Sequence, residues 1–366
     1  MTTKYGIIGC GMMGGEHIQN INLLDDTDVV AIVEPDAEMA ARAASLAPNA
    51  QFYSTIDELM AQDLDCLLIA SPNHLHVEHL QAIARNKALP TLVEKPLFTA
   101  ENDHKAIADL KANFAAPIWV AMEYRYMPPI TLLREQVNEV TGGIQMLTIR
   151  EHRFPFLHKV GDWNRFNRYS GGTFVEKCCH FFDLMRLLMD AEPVRIMGAG
   201  GIAANHLDER YAGEAPDIFD HGYVIVEFEG QRRAMLELCM FAEGSKYQEE
   251  ISAVGANGKI ECLVPGPTRF WPEHLGESPE PQVIVSPRHP KGPQVIPTPV
   301  DPTLLAAGDH NGSTFYQHKG FLELVRGQRS TPDVSLDDGL KAVQMGQAAQ
   351  RSMIEHRAVA FSELAR

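Results

Sequence analysis

No run of lysine and arginine occurs anywhere in this 366-residue chain, whose 32 basic side chains stand against 48 acidic ones for a formal net charge of −16. Nucleic-acid binding draws on counterions released when cations meet phosphates, so no nucleic-acid partner is expected. Long hydrophobic runs are also lacking. None approaches the roughly 20 apolar residues of a membrane helix, and the start Met1-Thr2-Thr3-Lys4 carries no apolar leader core or twin arginines. Cysteine is sparse: Cys10, Cys66, Cys178, Cys179, Cys239 and Cys262 form neither a disulfide framework nor paired C-x-x-C zinc ligands. Together these absences predict a soluble, cytoplasmic protein with free thiols and no metal.

What remains is an ordinary globular composition, 45% hydrophobic and 22% charged. The length exceeds one typical core, because single cores stop growing at roughly 250–300 residues, so two domains with a cleft are expected.

From residue 5 to residue 123, short apolar runs alternate with helix-length amphipathic segments. The runs are 5–9, 29–33, 66–70, 91–94 and 118–122; their unbroken hydrophobicity means burial on both faces, as parallel strands between helix layers require. The expected fold class is α/β, an N-terminal doubly wound parallel sheet. Beyond Arg125 a helix near 129–140 gives way to strands with period-2 alternation, such as 223–228 and 234–241. That pattern predicts a C-terminal α+β domain whose large, mostly antiparallel sheet has one open face. Prolines and glycines crowd 264–302, which reads as loop or sheet-edge excursion. A final helix is expected over 336–355, entered through Ser335 and Asp337-Asp338.

Gly9-Cys10-Gly11-Met12-Met13-Gly14 follows an expected strand and opens an expected helix, the context that makes a glycine pattern informative. The first glycine permits the tight turn, the second lets backbone approach a pyrophosphate, and the third lets helix and strand pack closely. Unpaired helix N–H groups then receive the phosphates. Glu34 ends the next strand, where a carboxylate accepts from both ribose hydroxyls and repels a 2′-phosphate. Pro35 and Asp36 follow in place of a phosphate-binding cation, so NAD is expected over NADP. The alternative is a tight-packing turn beside a surface glutamate.

Two further turns follow strands: Ser71-Pro72-Asn73 with His76, and Glu94-Lys95-Pro96. With the glycine loop they make the chain resemble, over nearly its whole length, the glucose-fructose oxidoreductase, inositol dehydrogenase and rhizopine-catabolism (Gfo/Idh/MocA) family. The resemblance implies an NAD-binding Rossmann domain at 1–124 and a substrate-binding and oligomerisation domain at 125–366. It places Lys95 between nicotinamide and substrate, hydrogen-bonded to the reacting hydroxyl, and Ser71, Pro72, Asn73 and His76 at the cofactor's edge. Cofactor contacts are expected from Gly9, Cys10, Gly11, Met12, Met13, Glu34, Glu94, Lys95, Glu123, Trp163 and Arg165.

The family's second signature appears as Gly171-Gly172, Glu176, His180 and Asp183, with Glu176 where relatives have aspartate and Cys178 where they commonly have glycine. On one continuous helix, 176, 180 and 183 share a face, so two carboxylates would flank His180 and fix its tautomer. The implied catalytic set is Lys95, His180 and Glu176: His180 takes a ring-hydroxyl proton while hydride leaves the same carbon. Without the family, Glu176 and His180 could be an ion pair or half a metal site.

Arg150, Arg153, Lys159, Arg165 and Arg168 crowd one segment with His152, His158 and Trp163. They could bind an anionic sugar, or pair with the protein's surplus carboxylates or with the cofactor pyrophosphate. Substrate contacts are expected from Lys95, Arg125, Arg153, Trp163, Arg165, His180 and His318, with His310 a further candidate. The leading function is an NAD-dependent dehydrogenase of a sugar, sugar acid or cyclitol. A redox-assisted glycosidase that returns its hydride, and a non-enzymatic NAD/sugar sensor, are the alternatives. The open sheet face predicts a homo-oligomer.

Overall fold

The computed structural model describes residues 2–364, arranged as two compact units that interleave along the chain. The first unit comprises 1–123, 158–176 and 314–343; the second comprises 124–157, 177–313 and 344–366. The sequence reading divides the chain once, at 124/125. Segments far downstream nevertheless fold back into the first unit.

The first unit is built on six parallel strands, β1 (Thr3–Ile8), β2 (Thr27–Val33), β3 (Gln51–Tyr53), β4 (Cys66–Ile69), β5 (Thr91–Val93) and β6 (Ile118–Val120), in the order β3-β2-β1-β4-β5-β6. That order reverses direction at β1, and ligands of doubly wound sheets bind beyond the strand C-termini at such a switch point. β4, β5 and β6 are buried throughout, which accounts for their unbroken apolar sequence. The helices α1 (Met12–Ile21), α2 (Ala37–Leu46), α3 (Ile56–Met60), α4 (His76–Arg85) and α5 (Asp103–Asn113) alternate with the strands. A capping box starts α3, with Thr55 accepting from Glu58 N–H and Glu58 accepting from Thr55 N–H.

The second unit opens with α6 (Pro128–Thr141), begun by Pro128-Pro129 and ended by Gly142 in the left-handed conformation. Its nine-stranded sheet consists of β7 (Ile144–His152), β8 (Pro193–Gly201), β9 (His221–Phe228), β10 (Arg232–Cys239), β11 (Glu249–Gly255), β12 (Gly258–Val264), β13 (Gln282–Pro287), β14 (Gln294–Pro297) and β15 (Val359–Ala360). The order is β14-β13-β12-β11-β7-β10-β9-β8-β15, antiparallel except where β7 and β10 run parallel. Alternation is strict where helices cover one face: Gly222, Val224, Val226 and Phe228 of β9 point inward, whereas Tyr223 and Ile225 are exposed. The proline-rich excursion supplies β13 and the edge strand β14, with Pro287 and Pro297 at the strand ends.

Further helices are α7 (Asn167–Ser170), α8 (Thr173–Glu176), α9 (Cys179–Met189) and α10 (Pro302–Ala306). They are followed by α11 (Ser313–Val325) and α12 (Leu336–Glu355). The last occupies the span expected from sequence. Ser335 and Asp338 cap it reciprocally, the serine Oγ accepting from Asp338 N–H at 3.2 Å and the carboxylate from Ser335 N–H at 2.9 Å.

Candidate functional site

The glycine loop shows three different needs. Gly9 has φ +90°, and a Cβ there would lie 2.6 Å from Ser71 Cα; a Cβ on Gly14 would lie 2.4 Å from the Gly9 carbonyl oxygen. Gly11 has nothing within 4 Å of its would-be Cβ. The first and third glycines therefore close the strand–helix turn, and the second faces open space at the N-terminus of α1. No side chain caps that terminus, so its N–H groups remain a cradle for an anion. These features fit an NAD pyrophosphate.

Glu34 follows β2, its Oε2 accepting from Cys10 N–H at 2.6 Å and its Oε1 from Asp36 N–H at 2.9 Å. The carboxylate is thus fixed against the glycine loop before any ribose arrives. Burial, reinforced by Glu34, pushes the Cys10 thiol up to about 12, so Cys10 contributes backbone there and not a thiolate. Met12 is exposed and Met13 half-buried at the same helix start.

The turns after β4 and β5 are tied together by His76. This buried ring lies 2.8 Å from the Pro96 carbonyl through Nδ1 and 2.9 Å from the Ser71 carbonyl through Nε2. His76, expected at the cofactor's edge, braces two loops from a buried position. Ser71 Oγ meets His79 Nδ1 at 2.9 Å, and Asn73 Nδ2 donates to the Ser170 carbonyl at 3.3 Å. Pro72, half-buried, starts the short turn that leads into α4.

Glu94 is buried and accepts from the Lys95 N–H at 3.1 Å. Its other oxygen lies 2.9 Å from His17 Nε2, and His17 Nδ1 lies 2.8 Å from His318 Nε2. Burial works to raise the Glu94 carboxyl, but the His17 contact and the Lys95 charge hold it below its ordinary value. An ionised Glu94 accepts from His17 Nε2, and His17 in turn contacts His318 through Nδ1. His318, expected on the substrate, is fully buried in this relay beside the Tyr5 ring. Burial, then His17, depresses its proton affinity far below that of an ordinary histidine. The Lys95 ammonium projects from the turn and donates to the Glu176 carbonyl at 3.4 Å.

The expectation of one helix through 176, 180 and 183 does not hold. The chain leaves α8 at Glu176 and begins α9 at Cys179, so the helical face is interrupted. Glu176 turns to Lys159 at 3.0 Å, and Lys159 lies over the Trp163 ring at 4.5 Å. Asp183 is gripped by Arg125 through two bonds of 2.5 Å, both side chains buried. His180 stacks on Tyr124, ring centroids 4.1 Å apart and planes 8° off parallel. The longer glutamate thus reaches a lysine, and Arg125, expected on the substrate, anchors α9.

The basic segment is matched by carboxylates and rings. Arg150 pairs with Glu237 at 3.1 Å and Glu250 at 3.3 Å, Arg153 with Glu151 at 3.6 Å, and His152 with Glu237 at 3.1 Å. His158 meets Asp162 at 3.2 Å, and Arg168 lies over Phe166 at 4.3 Å. Arg165 is buried, and Trp163 is half-buried 6.2 Å from the His74 ring. Glu123 is buried against Thr314 Oγ1 at 2.8 Å, which also lies 2.9 Å from Glu16. Arg150, Arg153 and Lys159, among the cations expected to bind an anionic sugar, thus have carboxylate partners within the protein.

By unit, the first holds the glycine loop, Glu34, Ser71 to His76, Glu94, Lys95, Glu123, Trp163, Arg165, Glu176 and His318. The second holds Arg125, Arg153, His180 and His310. His17, Tyr124 and Lys177 take part in these networks without a role expected from sequence. His17 carried a signal, standing three residues beyond Gly14 on the first helix of the motif.

Comparison with known proteins agrees with this architecture. Residues 3–121 match the oxidoreductase family's NAD-binding Rossmann fold, and residues 134–361 match its C-terminal alpha/beta domain, the Gfo/Idh/MocA pair. An inositol 2-dehydrogenase of Corynebacterium glutamicum strain R is 32% identical over 53% of this chain and 56% of that protein. The alignment thus spans just over half the length of that relative. A myo-inositol 2-dehydrogenase of Thermotoga maritima is 23% identical over 99% of both chains. Among solved structures, an Agrobacterium radiobacter oxidoreductase in complex with NAD+, L-tartaric acid and magnesium covers all of both chains with a TM-score of 0.81 at 15% identity, a likeness of fold. No helix among the described residues is long and apolar enough to cross a membrane.

Proposed function

The chain belongs to the Gfo/Idh/MocA oxidoreductase family, and from that premise we propose that it is an NAD-dependent dehydrogenase acting on a ring secondary alcohol of an uncharged cyclitol or sugar. The observation that carries this reading is the Glu94-Lys95-Pro96 turn, which puts a lysine at the carboxyl edge of an NAD-binding sheet. The helix-terminal N–H groups beyond Gly11 hold the pyrophosphate, and the carboxylate of Glu34 takes the ribose hydroxyls. NAD supplies the hydride acceptor. The Lys95 ammonium stabilises negative charge on the reacting oxygen, and His180 receives the hydroxyl proton. The carboxylate partners of Arg150, Arg153 and Lys159 favour a neutral polyol, and relatives named as inositol 2-dehydrogenases point to such a ring.

The deciding experiment incubates the purified protein with NAD and a panel of cyclitols, neutral sugars, acidic sugars and chromogenic glycosides, following both NADH and released aglycone. NADH is expected to accumulate with a neutral ring polyol. Aglycone release without net NADH would establish the hydride-returning glycosidase instead, and binding without either product would leave a sensor.

The exposed face of the second unit's sheet presents Met146, Tyr223, Ile225 and Val254, an apolar surface that supports a homo-oligomer. Sedimentation velocity at micromolar concentration is expected to show a species larger than 40.6 kDa. A single monomeric boundary would refute it.

A further inference from the structure

Beside His180 the second unit contains a buried ionic cluster that the proposed chemistry does not use. Glu151 and Glu249 end the covered faces of β7 and β11 and stand directly opposite each other in register. Both are exposed by 1% or less, and two facing carboxylates in such a place repel each other. Lys177 resolves the conflict from the turn between α8 and α9: its ammonium lies 2.9 Å from Glu151, and Arg153 approaches the same carboxylate at 3.6 Å. Burial, then Glu151, pushes the Glu249 carboxyl up to about 8, so it holds its proton at neutrality while Gln248 donates to it at 2.7 Å.

The Lys177 ammonium has a second partner, the Tyr124 hydroxyl at 2.5 Å, and it sits 4.6 Å from the centre of that ring. Tyr124 is the ring on which His180 stacks. We propose that Lys177 is a positioning residue for His180: anchored by Glu151, it fixes Tyr124 beneath the imidazole and keeps His180 in its proton-accepting form. Two physical effects combine. A tyrosine held at its hydroxyl cannot swing, so the parallel imidazole keeps one orientation. A buried ammonium 4.6 Å from the ring on which His180 stacks opposes a second positive charge, which holds the imidazole neutral until substrate delivers its proton.

Arg125 is neutralised by Asp183, Arg153 and Glu151 face each other, Glu249 is protonated, and His310 lies with its ring 6.1 Å from Tyr124. Burial first, and Arg153 second, lower the Lys177 ammonium from its ordinary value, with Glu151 and Glu249 opposing. Within this cluster Lys177 is the cation that touches the ring bearing His180.

The proposal rests on His180 being the base, so its test uses a readout independent of turnover. Histidine-labelled NMR of the full chain follows the imidazole Cε1 proton of His180 through a pH titration, assigned by its loss in His180→Gln. Lys177→Met should raise the His180 midpoint by about one pH unit, Tyr124→Phe should raise it by less, and Lys177→Arg should restore the wild-type curve. If Lys177→Met does not fold, Tyr124→Phe against Lys177→Arg decides. A midpoint that stays at the wild-type value in every variant that folds overturns the proposal. Full turnover in His180→Ala would instead remove the catalytic reading and leave the titration result standing.

Discussion

Lys95→Met and His180→Ala are each expected to lower turnover roughly 10²–10⁴-fold, the range for losing a positioned acid, base or charge stabiliser, while NAD still binds. The methionine keeps the length and packing of the lysine stem and deletes only the ammonium, which donates to the Glu176 carbonyl. Neither side chain belongs to the glycine loop or to the Glu34 clamp on Cys10 and Asp36, so titration calorimetry with NAD should show an affinity close to wild type. The double variant should be little worse than the poorer single one, because an acid–base pair that works on one alcohol fails as a unit. Near-normal kcat in both single variants would sink the assignment, and loss of NAD binding would show that the side chains serve the cofactor instead.

Much of this was legible from composition and pattern because burial on two faces leaves a plain mark. β4, β5 and β6 read as apolar runs, and the exposed edge strand β3 did not, since Gln51-Phe52-Tyr53 buries too little to show. The three glycines were legible for a similar reason: each answers a local steric demand, and local demands are written locally. Partnerships between distant segments were not. His318 lies 301 residues from the histidine it bonds, and nothing in the sequence around either announces the relay that ends on Glu94. The break between α8 and α9 escaped because positions 176, 180 and 183 suit a helix by spacing, yet the structure spends the turn in between on burying Lys177. The parallel pairing of β7 with β10 was equally hidden, as alternation fixes which face is buried and not the strand's neighbour.

Asp183→Asn and Arg125→Met should each destabilise the protein by about 3–5 kcal/mol, because either leaves a buried charge without its partner. Both carboxylate oxygens are occupied by the guanidinium, Asp183 is fully buried and the Arg125 side chain is only 6% exposed, so little water can replace the lost contact. In a domain of this size that corresponds to a fall of roughly 10 °C in the thermal midpoint, read by differential scanning calorimetry. The paired change Arg125→Met with Asp183→Leu removes both charges together and should regain most of the loss, since apolar replacement of a buried ion pair is often neutral. The same pair of variants separates two roles for Asp183. As an orienter of His180, its carboxylate would be needed for turnover whatever the stability, and the apolar pair would be stable but inactive. As the anchor of α9, which is what its bonds to Arg125 support, the apolar pair should recover kcat together with the thermal midpoint, assayed well below the melting range. Recovery of stability without kcat would return Asp183 to the base.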